Sequence, residues 1–456
     1  MSGTGRAAAD REAGDDHVPL STILTYASPA VGVGFMFFLV NMYLMKFSTD
    51  VLLIAPGVMG LIFGISRIWD GVSDPLAGYL SDRTRTRLGR RRPWMLASLV
   101  PIVLVFIMVW TPPVALSGGA LVLWMAVGII GFYTAMTIFG VPHTSLGAEL
   151  SLDYDGRNRV FGWRHICLMA GAFLAVGGMR LLIGSDEPRA TAYGLALVAS
   201  LVTVALMLFS VARVRERPEY MGRGAANPFS AYRDVLSNPH ARRLLVVILI
   251  EHLGSANITI LTPYASHYVI GTPHLTPFYI LCYMVASAST VMLWVRLANR
   301  FDKKRLWVFS MFLSGLAFGG MFLGGEGDWV LIASLATLGG LAGGCGPVVA
   351  PSIQSDVIDY DEYTTGQRKE GAYFAAFSFV YKGSAGLTLM LTGFVLQASG
   401  FEPNVEQSER ARLAISSLFA LFPLVSLWCG ALILSRFGLN REEHARLREA
   451  IDARQR

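Results

Sequence analysis

The chain alternates between long apolar runs and short polar breaks. A helix of about 20 apolar residues crosses the hydrocarbon core of a bilayer. The pattern therefore predicts twelve spanning helices, at 23–47, 56–80, 94–112, 119–148, 160–183, 190–212, 241–269, 275–298, 306–325, 329–355, 372–399 and 411–436. The fourth and tenth runs are long enough to tilt or to protrude from the bilayer. The longest internal polar stretch, 213–240, falls after the sixth span. A basic loop ending in Trp recurs after the second and eighth spans, at Arg87-Leu88-Gly89-Arg90-Arg91-Arg92-Pro93-Trp94 and at Lys303-Lys304-Arg305-Leu306-Trp307. This weak repeat predicts an all-α integral membrane protein of two pseudo-symmetric six-helix bundles, an architecture of transporters. The expected divisions are a cytoplasmic tail at 1–22, bundles at 23–212 and 241–436, an interdomain loop at 213–240, and a C-terminal tail at 437–456.

Composition agrees. Charged residues make up 15% of the chain, against about 25% in soluble proteins, and the mean hydropathy is +0.49. The four cysteines lie in apolar runs, where they read as small hydrophobes. The net charge of +6 does not call for a nucleic-acid partner, because 31 of the 38 Lys and Arg residues sort to the side of both termini. That bias places both termini in the cytoplasm of a multi-pass protein of the inner membrane. The polar leader 1–22 does not read as a cleavable signal. The sequence shows no Walker-type phosphate loop, no zinc-ligand spacing and no nucleophile elbow. Neither ATP-driven transport nor an enzyme is expected, and no cofactor is called for. The expected partners are the lipid bilayer, a small-molecule solute and a coupling cation, with the chain as a monomer.

The charges inside the spans carry the chemistry. Arg67, Asp70 and Asp74 stand at i, i+3 and i+7 in the second span, on one helical face. A carboxylate at the centre of a membrane helix costs about 2.5–3.5 kcal/mol on insertion scales. Two of them beside an arginine predict a site for a coupling Na⁺ or H⁺. Hard oxygen ligands suit Na⁺, and two carboxylates sharing a site raise one pKa, so that a proton can substitute. The ion would be cargo, not a structural metal. The alternative is a buried triad that fixes packing only. Lys382, in span eleven, must face protein or water. Glu251 and His252 interrupt the apolar run of span seven, and a lone carboxylate in a span meets a partner or a cavity. Tyr381 and Trp69 flank the central charges.

Several of these motifs resemble the glycoside–pentoside–hexuronide:cation symporters of the major facilitator superfamily. The resemblance rests on Arg67-Ile68-Trp69-Asp70 with Asp74-Pro75, and on Asn41-Met42-Tyr43-Leu44-Met45 with Thr49-Asp50-Val51. It also rests on Thr137-Ile138-Phe139-Gly140-Val141-Pro142, and on Asp356-Val357-Ile358-Asp359-Tyr360 leading to Lys382-Gly383. It spans both halves and implies a major facilitator fold with Na⁺, Li⁺ or H⁺ symport by alternating access. It implies that Asp70, Asp74 and Thr137 bind the cation. Lys382 would link them to the solute, and Arg164 would sit at the cytoplasmic end of the cavity. The loop with Asp82, Arg83 and Arg90 resembles the superfamily's signature loop, which implies a cytoplasmic latch. Asp356, Asp359 and Arg368 are expected at an inner gate.

The resemblance also exposes departures. Galactoside-binding members carry an Asp in helix one and another in helix four, where this chain has Gly34 and Gly140. Family tryptophans in helices four and ten are replaced by Thr144 and Pro347. A simple galactoside is therefore not expected. A solute site that kept its cations and lost its carboxylates points to a hexuronide or another acidic glycoside. The glycines would make room, leaving an amphiphile or lysolipid carrier as an alternative, beside a non-transporting sensor. His143, one turn from Gly140, and Glu251 are candidates to have taken over specificity.

Overall fold

The computed structural model describes residues 18–151, 154–214, 216, 235–366 and 370–439, together with 443 and 446. The expected loop 213–240 and both tails lie largely outside these residues, as does Arg368. Among the described residues, eleven helices are long and apolar enough to cross a membrane. They are α1 (Leu20–Asp50), α3 (Arg92–Trp110), α4 (Gly118–Leu150), α5 (Tyr154–Ile183), α6 (Pro188–Arg213), α7 (Pro239–Tyr268), α8 (Pro273–Arg300), α9 (Lys303–Leu323), α10 (Trp329–Thr365), α11 (Glu370–Ala398) and α12 (Glu409–Ser435). The helix α2 (Pro56–Arg83) is 28 residues long, enough to span, and is less apolar than these because it carries Arg67, Asp70 and Asp74. Among the described residues these twelve helices match the twelve predicted spans, with α5 beginning at Tyr154 instead of 160 and α10 running on to Thr365, well past the predicted end at 355.

Local chemistry sets their ends. Asn238 caps α7 by accepting from the backbone N–H groups of His240 and Ala241, Asp302 caps α9 through Arg305, and Ser408 caps α12 through Ala411. Proline opens α3 and α6, where its missing N–H costs nothing. Prolines also lie inside α2, α4, α7 and α10 (Pro75, Pro142, Pro263, Pro351). Each removes one helical hydrogen bond and favours a bend. α1 widens into a π-helical segment at Val40–Leu44, a local irregularity often found at functional sites.

Contacts divide the chain into two compact units. The first holds residues 1–40 and 72–226, and the second holds 41–71 and 227–456. Residues 41–71, which the sequence division assigns to the first bundle, thus group with the second unit. In the first unit, α1 and α5 approach so closely that a Cβ on Gly34 would overlap the Leu168 carbonyl, and one on Gly171 would overlap that of Val31. In the second unit, the start of α2 packs on α11 in the same way. A Cβ at Gly60 would sit 2.7 Å from the Leu389 carbonyl oxygen, one at Gly393 would overlap the Pro56 carbonyl, and one at Gly386 would overlap Arg67. Small residues allow such backbone approach in membrane helices. This seam seats Arg67 one helical turn along α11 from Lys382.

Candidate cation and solute sites

The charged face of α2 is held from two directions. In the second unit, Arg67 Nη1 donates to Asp70 Oδ2 at 3.3 Å and Nη2 donates to Asn41 Oδ1 at 2.7 Å. Both Arg67 and Asp70 are buried. Asn41 is presented by the π-helical segment of α1. In the first unit, Thr137 Oγ1, on α4, donates to Asp74 Oδ1 at 2.7 Å. Asp70 and Asp74 are one turn apart on the same helix. Pro75 supplies no N–H to the carbonyl of Gly71, which leaves another hard oxygen at this level of the helix. Lys382 is half-buried on α11.

Glu251 faces a cavity of about 440 Å³ inside the second unit, with His252, Tyr381 and Pro347 also in its wall. His252 Nδ1 lies 3.1 Å from Glu251 Oε2, and the His252 ring meets Tyr381 edge-on, centroids 4.1 Å apart. Gln354 Nε2 reaches the Tyr381 hydroxyl at 3.4 Å.

Two of the expected cavity residues are corrected. Gly34 does not make room for a solute, because its missing side chain is what lets α1 and α5 touch. His143 is fully enclosed: Nε2 hydrogen-bonds the Tyr26 carbonyl at 2.9 Å, and the ring stacks between Tyr26 and Phe139. It is a packing residue. Gly140 does open space, since a Cβ there would meet nothing within 4 Å. Thr144 is half-buried one turn further on. Arg164 is half-buried on α5, with its Nε enclosed and making no hydrogen bond among the described residues.

The signature loop forms a buried network in the first unit. Arg90 pairs with Glu149 and lies 3.5 Å from Asp82, while Arg91 lies 2.7 Å from Glu149 and 3.4 Å from Asp82. Glu216 accepts the backbone N–H groups of Arg90, Arg91 and Arg92 at 2.9, 2.9 and 2.8 Å, capping α3. Gly89 permits this with a φ of +108°, and a Cβ there would sit 2.5 Å from the Glu216 carboxylate. Arg83 departs from expectation and stacks on Tyr79 at 4.1 Å instead of joining the network. In the second unit, Lys303 Nζ binds both oxygens of Asp356 at 2.9 and 3.0 Å, and Asp359 is buried.

Sequence reasoning missed Glu149, Glu216 and a further cluster at the end of α1. There Lys46 pairs with Asp50 and lies 2.9 Å from His267 Nδ1. Asp50 also accepts from Tyr268 at 2.7 Å and from Thr49 at 2.9 Å. The i,i+4 spacing of Lys46 and Asp50 was the visible signal; the partners on α7 left none.

Comparison with known proteins bears on this arrangement. The family model described as MFS/sugar transport protein matches residues 25–441. An isoprimeverose transporter of Lactiplantibacillus pentosus is 26% identical, over 93% of this chain and 90% of its own. A sodium-dependent lysophosphatidylcholine symporter of Xenopus tropicalis is 23% identical, over 90% and 85%. The fold is similar to that of a D-xylose–proton symporter, with a TM-score of 0.68 at 12% identity over 91% of this chain and 97% of the other.

Proposed function

We propose that this chain, which belongs to the MFS/sugar transport protein family of the major facilitator superfamily, couples Na⁺ or H⁺ entry to uptake of a sugar-like solute across the cytoplasmic membrane. The chain is a multi-pass membrane transporter and not an enzyme. The solute class is a glycoside or hexuronide other than a simple galactoside.

The observation that carries the reading is the carboxylate pair of α2, with Asp74 hydrogen-bonded to the Thr137 hydroxyl and Asp70 to Arg67. A hard cation entering here exchanges water for carboxylate and hydroxyl oxygens. Arg67 offsets part of the negative charge, so one monovalent ion or one proton brings the site near neutrality. Neutralising charge within a membrane helix lowers the cost of moving it through a closed intermediate. Cation and solute drive transport only through their different affinities for the two access states. Lys382, one turn from the contact of Arg67 with α11, is placed to couple solute to ion.

Proteoliposomes with an imposed Na⁺ or H⁺ gradient test this reading. Gradient-driven uptake is expected in the wild type and is lost in Asp70→Asn and Asp74→Asn. Undiminished coupling in both variants refutes it. The open space beside Gly140 favours an amphiphile carrier as the second reading, and competition of sugar uptake by lysolipid separates the two.

A further inference from the structure

The cavity in the second unit has a chemistry that selects among the solutes left open above. It lies among α7 to α12, and its volume of about 440 Å³ falls within the ~300–1,000 Å³ range of small-molecule sites. Two features of α10 help open it. A Cβ on Gly346 would meet nothing within 4 Å, and Pro347 stands in its wall without a large side chain.

The polar groups of the wall are Glu251, His252, four serine hydroxyls and the phenols of Tyr283 and Tyr381, and the lining includes no Lys or Arg. Glu251 Oε2 and His252 Nδ1 lie 3.1 Å apart. The strongest acceptor in the wall is the Glu251 carboxylate. An incoming anion brings acceptors of its own and a like charge beside Glu251. Among the described residues no arginine or lysine lines this wall, Lys382 standing next to Tyr381 but outside the lining. A neutral ring bearing hydroxyls brings the donors that a carboxylate requires. Tyr283 and Trp307 add aromatic surface beside the polar groups.

We propose that this cavity is a solute subsite for an uncharged, hydroxyl-rich ring, and that Glu251 is its specificity-determining residue, admitting neutral glycosides and rejecting uronates. The proposal rests on the sugar-transport reading and decides which side of it holds. The acidic glycoside expected from the lost carboxylates of helices one and four gives way here, because the carboxylate has a counterpart on α7.

The test uses the purified full chain in detergent with Na⁺ present. Isoprimeverose, D-xylose and D-glucuronate are titrated against thermal unfolding and by calorimetry. Wild type is expected to bind at least one of the neutral sugars and to bind glucuronate at least about tenfold more weakly, about 1.4 kcal/mol. Glu251→Gln, which keeps the shape and replaces an acceptor by a donor, is expected to weaken neutral-sugar binding at least about tenfold and to narrow the gap to glucuronate. Gly346→Val projects a branched side chain into the cavity from α10 and is expected to weaken neutral-sugar binding at least about tenfold. Both variants should retain stabilisation by Na⁺, the sign of an intact fold.

The proposal is overturned if glucuronate binds as well as the neutral sugars, if none of the three binds, or if both variants bind like wild type. A Glu251→Gln variant that keeps its sugar affinity and loses only proton-driven uptake also overturns it, making the pair a proton site. Failure of symport is read separately. Sugar binding that depends on Glu251 without gradient-driven uptake refutes the coupling and leaves the subsite standing. Gradient-driven uptake indifferent to Glu251 refutes the subsite alone.

Discussion

Thr137→Ala is the sharpest probe of the proposed cation site, because the proposal gives the hydroxyl different work in the empty and occupied states. In the structure Thr137 is buried and donates to Asp74 Oδ1 at 2.7 Å. A hydrogen bond to a charged group contributes about 1.5–3 kcal/mol, so its loss lowers the stability of the ion-free protein by an amount of that order. A threonine that only braces Asp74 would have no further effect. A threonine that also offers a lone pair to the cation gives a second loss, seen as affinity. Groups that orient or complete a metal site typically change affinity by about 10–100-fold, equivalent to about 1.4–2.7 kcal/mol. Thr137→Ser keeps the oxygen and should stay within about threefold of wild type, under 0.7 kcal/mol or so. The assay is a Na⁺ titration of thermal stability, repeated as the Na⁺ dependence of uptake in proteoliposomes. Half-saturation is expected to rise in the alanine variant and recover in the serine variant. An alanine variant that is less stable but saturates at the wild-type Na⁺ concentration refutes the ligand role. So does a serine variant as weak as alanine.

Three further outcomes follow from the packing. Gly34→Ala should destabilise by at least about 1–3 kcal/mol through overpacking against the Leu168 carbonyl, whereas Gly140→Ala should be neutral or slightly stabilising by helix propensity; thermal unfolding in detergent compares them, and equal effects would contradict the assignment. Lys46→Met leaves the largely enclosed Asp50 carboxylate without its lysine and should cost up to about 3–5 kcal/mol, and adding Asp50→Asn should recover a large part of that loss in a double-mutant cycle. Glu149→Gln leaves Arg90 and Arg91 buried side by side with Asp82 as their remaining side-chain ion-pair partner among the described residues; about 3–5 kcal/mol of stability should go with it, while the Na⁺ half-saturation stays unchanged.

The spans and the charged face of α2 were legible because each is imposed by the membrane itself. Hydrocarbon thickness fixes helix length, and insertion cost marks out every intramembrane charge. What such a cost does not reveal is the partner. Asp70 announces itself in the sequence, but the Asn41 that holds its arginine is 26 residues upstream of Arg67, on a π-helical segment that no periodicity marks. Glycine is ambiguous for a related reason. At Gly140 the absent side chain leaves empty space, and at Gly34 it admits a neighbouring backbone; the one-letter string is the same. His143 and His252 show the same limit for imidazole, the first sealed between two aromatic rings and the second on a cavity wall beside Glu251. A missing carboxylate at one aligned position is therefore weak evidence about a solute. Specificity belongs to the whole wall of a cavity, and α7 supplies from Glu251 a carboxylate that position-by-position comparison in helices one and four does not find. The charged residues proposed to couple the ion share one helix face, so spacing alone picks them out. The residues proposed to read the solute come from helices far apart in the chain, and only packing brings them together.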